Sequence, residues 1–117
     1  NNATPLYTAS ASNCVEVVKC LVSNNASIDQ AQNNATPLYI ASEFHCVEVV
    51  KCLVSNNAAI DQAMNDGSTP LFIAACKNHL EVVKFLVFNN AAIDQAMNDG
   101  STPLFTASSK NHLEVVK

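Results

Sequence analysis

A chain of 117 residues with net charge −4, six lysines and no arginine lacks both a basic stripe to neutralise phosphates and the guanidinium forks that read base edges. Nucleic acid and an anionic membrane surface are therefore not expected partners. Apolar residues make up 49% of the chain but are spread evenly, and none of their runs nears the roughly 18 residues of a membrane span.

One phrase recurs through the chain. Thr4-Pro5-Leu6-Tyr7 returns as Thr36-Pro37-Leu38-Tyr39, Thr69-Pro70-Leu71-Phe72 and Thr102-Pro103-Leu104-Phe105, at intervals of 32, 33 and 33 residues. A period of that length predicts a stacked array. Each unit is too small to bury its own apolar face, and neighbours complete the core.

In chain order, each unit opens with a threonine whose hydroxyl can cap free amides and a proline that has no N–H to waste at the first helical position. The spacing predicts a helix of about two turns, with Leu6, Ala9 and Ser10 on one narrow face. It should stop near Asn13, His45, Asn78 and Asn111, residues that tolerate the left-handed conformation. A second helix follows, with Val15, Val18, Leu21 and Val22 inward and Glu16 and Lys19 paired outward. Its predicted ends are Asn25, Asn57 and Asn90.

Between units lie stretches such as residues 60–68, where Asp66-Gly67 is a turn signal that predicts a β-hairpin finger. The first such link, residues 28–35, is one residue shorter and carries Asn33-Asn34, so its tip should differ. Gln32, Met64 and Met97 recur along the fingers and are expected to pack between them.

Five cysteines invite a disulfide or zinc reading. Cys14 with Cys46, and Cys20 with Cys52, hold equivalent positions in neighbouring units. Stacked helices lie about 8–10 Å apart, beyond the roughly 7 Å reach of a disulfide. With no Cys-X-X-Cys pair and no zinc-type histidine spacing, the thiols are expected to act as small apolar residues in a reducing compartment. Neither metal nor cofactor is expected, and the chain is read as intracellular, in the cytoplasm.

The Thr-Pro-Leu starts, the alanines at 9, 41, 74 and 107, Leu-Glu-Val-Val-Lys at 80–84 and 113–117, and Asn-Asn-Ala-Ala-Ile-Asp at 56–61 together resemble the ankyrin repeat family. The resemblance covers the whole chain and implies an all-α repeat solenoid of helix-turn-helix units joined by β-hairpin fingers. It divides residues 1–117 into one array with repeats 1–32, 33–65, 66–98 and a partial 99–117. Departures are informative: the family's histidine after Thr-Pro-Leu is replaced by Tyr7, Tyr39, Phe72 and Phe105, while His79 and His112 fill a later histidine position and are expected to be structural.

The same resemblance implies a protein–protein interaction module, binding a protein or peptide on the concave surface formed by hairpin tips and first helices. Carried onto this chain, the binding positions are Ile40, Glu43, Phe44, Asn65, Asp66, Ser68, Ile73, Cys76, Lys77, Asn98, Asp99, Ser101 and Lys110. Ile40, Phe44 and Ile73 are expected to face outward on adjacent first helices as an apolar anchor, the type of group that dominates interfaces. Phe88 on the second-helix side is a further candidate. No catalytic constellation rises above the repeat pattern, so the chain is not expected to be an enzyme. The alternative is a structural spacer within a longer polypeptide. Uncapped end units are expected to permit end-to-end self-stacking of copies.

Overall fold

The computed structural model describes residues 4–103. Among these residues six helices follow one another in pairs: α1 (Pro5–Ala11) with α2 (Val15–Ser23), α3 (Pro37–Glu43) with α4 (Val47–Ser55), and α5 (Pro70–Cys76) with α6 (Leu80–Phe88). The first helix of each pair packs on the next first helix, and the second on the next second, giving two parallel rows. This is an all-α repeat solenoid.

Each first helix starts at a threonine cap, and every helix is followed by a left-handed turn residue. Thr4, Thr36 and Thr69 accept hydrogen bonds from the amides of Tyr7, Tyr39 and Phe72 at 3.1, 3.1 and 3.0 Å, with proline at the first helical position. Replacing the family's histidine by an aromatic therefore leaves the cap intact, because the donor is a backbone amide. After the first helices, Asn13, His45 and Asn78 adopt φ of 57°, 58° and 60°. After the second helices, Asn25, Asn57 and Asn90 adopt 69°, 70° and 71°. Each of these turns lets the following amide reach back to the last helical turn, as Ala26 does to the Leu21 carbonyl at 3.0 Å. Asparagine and histidine supply the left-handed residue that glycine commonly provides.

The second helices are held from outside as well. Asn24, Asn56 and Asn89 fold their side-chain amides back onto the carbonyls of Cys20, Cys52 and Phe85 at 2.8, 2.8 and 2.9 Å. Lys19 pairs with Glu16 at 3.6 Å and Lys51 with Glu48 at 3.7 Å, both on the exposed face. Such pairs add only a few tenths of a kcal/mol, about 0.3–0.5.

The core runs lengthwise between the rows. It contains Leu6, Val18, Leu38, Val49, Val50, Leu53, Leu71, Val82 and Leu86, each nearly or fully buried, with Ala9, Ala41 and Ala74 allowing close helix approach. Repetition of the same side chains at the same positions makes it one continuous apolar strip.

The fingers differ as their lengths predict, but they are reduced to turns: among the described residues the only β-pairing is an isolated bridge between Gln32 and Ala35. Asn33 and Asn34 both take positive φ, 52° and 69°, closing a two-residue turn of the type favoured in tight hairpins. In the longer second finger, Gly67 at φ +91° lets the Met64 amide reach the Ser68 carbonyl at 2.9 Å. Met64 and Met97 are half-buried, in keeping with packing between fingers.

Candidate functional site

The candidate surface is the row of first helices with the finger tips beside it. Because α3 is flanked by α1 on one side and α5 on the other, its middle is covered while its end is not. Phe44, the residue that terminates α3, is 58% exposed. One unit on, Lys77 is exposed, and Glu43, Ile73 and Cys76 are half-buried on the same row.

Ile40 is a correction to the expected presented surface. It is only 7% exposed, because it lies in the middle of α3 where both neighbouring first helices cover it. Ser68 is likewise buried, at 3% exposure, and its hydroxyl is engaged with the Tyr39 hydroxyl at 3.1 Å. Neither side chain is presented to a partner. Burial pushes the Tyr39 phenol above its ordinary value, so the hydroxyl stays protonated and hydrogen-bonded through neutral pH.

At the finger tips Asn65, Asp66, Asn98 and Asp99 are exposed and Ser101 is half-buried. Their polar groups are already partly committed. The Asn98 amide donates to the Asp66 carbonyl at 2.8 Å, and the Asn98 side chain donates to the Asn65 carbonyl at 2.8 Å. Asp66 and Asp99 each accept from the serine amide two residues on, at 2.9 Å. Hydrogen bonds from Ser101, its backbone amide foremost, hold the Asp99 carboxyl below the usual carboxylate range, which keeps the tip anionic. Lys110 lies outside the described residues.

Several groups outside the expected set join neighbouring units. The Asp29 carboxylate accepts from the Ala59 amide and Asp61 from the Ala92 amide, both at 2.9 Å, so these repeated aspartates are inter-unit ties. His79 lies within 2.9 Å of the Glu43 carbonyl through Nε2 and stacks on His45 with ring centroids 4.7 Å apart. Burial is the main cause that holds His79 below the usual histidine range. A structural role fits that position. The recurrence of Asp29, Asp61 and Asp94 at intervals of 32 and 33 residues signals a repeated job in the sequence, but its carboxylate-to-amide geometry needs the fold.

Phe88 is 84% exposed on the second-helix side, away from the first-helix row. Cys14 and Cys20 are exposed and Cys46 is buried, where loss of solvent raises its thiol above the ordinary value. Among the described residues no three His, Cys, Asp or Glu side chains gather where they could hold a metal ion, and no helix is long and apolar enough to cross a membrane.

The family model described as ankyrin repeats in three copies matches residues 1–66 and again residues 55–117. No curated protein matches the chain. Members of this family are generally protein–protein interaction modules and generally non-catalytic. Two overlapping matches that together run the length of the sequence, on a solenoid of capped helix pairs, show that the chain belongs to the ankyrin repeat family.

Proposed function

We propose that this array binds a protein or peptide along its first-helix row, with Phe44 as the apolar anchor and Glu43, Ile73, Cys76 and Lys77 around it. The observation that carries this reading is Phe44 itself, a large aromatic left 58% exposed between two well-packed first helices. Aromatic anchors of this kind supply much of an interface's energy. Asn65, Asp66, Asn98, Asp99 and Ser101 extend the surface along the finger tips, which are pre-ordered by their own hydrogen bonds and so lose little entropy on binding. Binding is the whole activity in this reading, with no chemical step, and it takes place inside the cell.

Capture of partners on the wild-type chain, repeated with Phe44→Ala, tests the row. A specific partner should be retained at least tenfold less well by Phe44→Ala while the circular dichroism and melting of the chain stay unchanged. Retention unaltered by Phe44→Ala and by Lys77→Ala would favour the spacer reading, in which surface substitutions are tolerated and only the number of repeats matters.

A further inference from the structure

The turn that carries Phe44 is held from the next repeat. The Glu43 carbonyl, which belongs to the peptide bond leading into Phe44, lies 2.9 Å from Nε2 of His79. A carbonyl can only accept, so Nε2 carries the proton and donates, and Nδ1 is left bare. On the other side of Phe44, His45 takes φ 58° and stacks on the His79 ring with centroids 4.7 Å apart. His79 thus holds both neighbours of Phe44. In the preceding seam Asn13 and Cys46 occupy the two histidine positions and Ser12 stands where Phe44 does, so the exposed aromatic and the histidine pair occur together.

We propose that His79 is the positioning residue of the Phe44 anchor, and that charging the His45–His79 pair in mild acid frees the anchor and releases the bound protein or peptide. The proposal rests on the reading of the first-helix row above and adds its regulation. Neutral His79 can donate to Glu43 and stack on His45 at once. A second proton, on Nδ1, puts a charge on a half-buried ring beside another imidazole that also takes up protons in acid. The titratable and charged groups on the elements around the pair are Glu43 on α3, Cys46 and Glu48 at the start of α4, Cys76 and Lys77 at the end of α5, and Glu81 on α6. His112 holds the same position one unit on and lies outside the described residues. Burial, then the charges of His45 and Lys77, outweigh the bond to the Glu43 carbonyl, which favours the charged ring. His79 therefore stays neutral through the ordinary histidine range, near 6.5, and takes its proton as pH falls below it. Once charged, the ring is better hydrated away from its place, and the exposed His45 beside it leaves that path open to water. Its departure removes the donor to Glu43 and the stack on His45 together.

Nuclear magnetic resonance of the full chain, titrated from pH 7.5 to pH 5, tests the positioning by following the histidine ring nitrogens and the backbone order of Phe44 on one sample. Phe44 should be as ordered as α3 at pH 7.5 and lose that order with the midpoint of His79, while α4 and α5 stay folded. Release is read with a displayed peptide free of His, Asp and Glu, selected on the chain at pH 7.5 and counter-selected on Phe44→Ala. Its affinity should fall at least about tenfold by pH 5, as expected when the ordered turn drops to about a tenth of the population. In His79→Gln, whose side-chain amide can donate to Glu43 but takes no charge, both pH dependences should disappear. Phe44 equally ordered at both pH values, a midpoint that follows another group, unfolding of α4 and α5 over the same range, or an affinity that does not fall or falls equally in His79→Gln would overturn the proposal. The reading of the row stands or falls separately, on partner capture with Phe44→Ala at pH 7.5.

Discussion

Two seams in this array are built from the same plan and stitched differently. Between the first and second helix pairs, Asp29 accepts from the Ala59 amide; between the second and third, Asp61 does the same for Ala92. The second seam then adds the Tyr39–Ser68 hydroxyl pair, the His79 contact with the Glu43 carbonyl and the stack of His45 on His79. Its finger is in turn tied to the next one through Asn98. The first seam has Ala35 where the second has Ser68, and Asn13 and Cys46 where the second has His45 and His79. The shared apolar positions make the units stack, and the few residues that differ set how firmly each seam is held. In a quasi-one-dimensional protein each interface contributes its own increment to stability, so the two seams should be separable by experiment.

The largest effect should come from the fingers. Gly67 has φ +91° and an added Cβ would lie 2.9 Å from both the Asn98 amide nitrogen and the Met97 Cα, backbone atoms that cannot easily yield. Gly100 has the same φ but open space around it. Gly67→Ala should cost about 2–4 kcal/mol, combining left-handed strain with overpacking, and Gly100→Ala only about 1–2 kcal/mol. Urea denaturation of both variants checks the difference. Equal losses would mean that the second and third fingers do not press together as described.

Next in size is the hydroxyl pair. Tyr39→Phe leaves the buried Ser68 hydroxyl without its partner, a loss of about 1–2 kcal/mol. Tyr7→Phe, at a position where the following unit offers Ala35 and no hydroxyl, should change stability by less than about 0.5 kcal/mol. Similar costs for the two would erase this part of the contrast between seams.

The smallest effect is a pH dependence. Burial first, then the neighbouring His45 and Lys77, depresses the folded-state affinity of His79 for a proton, while its bond to the Glu43 carbonyl opposes them. With the folded value below the unfolded one, the unfolded chain takes up the proton first as pH falls. Stability is therefore full above the ordinary histidine range, near 6.5, and declines as pH drops through it. The melting temperature should be lower at pH 5.5 than at pH 7.5, and the drop should shrink in His79→Gln. An equal drop in that variant assigns the effect to other groups.

Much of this could be read from the chain because the informative positions are local. Thr-Pro starts, asparagines at helix ends and the Leu6, Ala9, Ser10 face are dictated by backbone geometry within a few residues, and each reappears in the fold. The one-residue deletion before Thr36 likewise foretells a different finger tip. The exposure of single side chains was less legible. Ile40 lies within α3 and Phe44 caps its end four residues on, and only the stacking of α1 and α5 against the helix decides that one is covered and the other is not. Ser68 looked like a finger-tip residue because its partner, Tyr39, is 29 positions away. The same limit hid the histidine stack, since His45 on its own reads simply as a left-handed turn residue.

Native-state hydrogen exchange on the dilute chain tests the unequal seams most directly. Amides in α4 and α5, on either side of the second seam, should exchange only through openings costlier than those that expose α1 and α2, and the gap should narrow in the double variant Tyr39→Phe, His79→Gln. Equal protection across the two seams, or a gap that the double variant leaves untouched, would contradict the account.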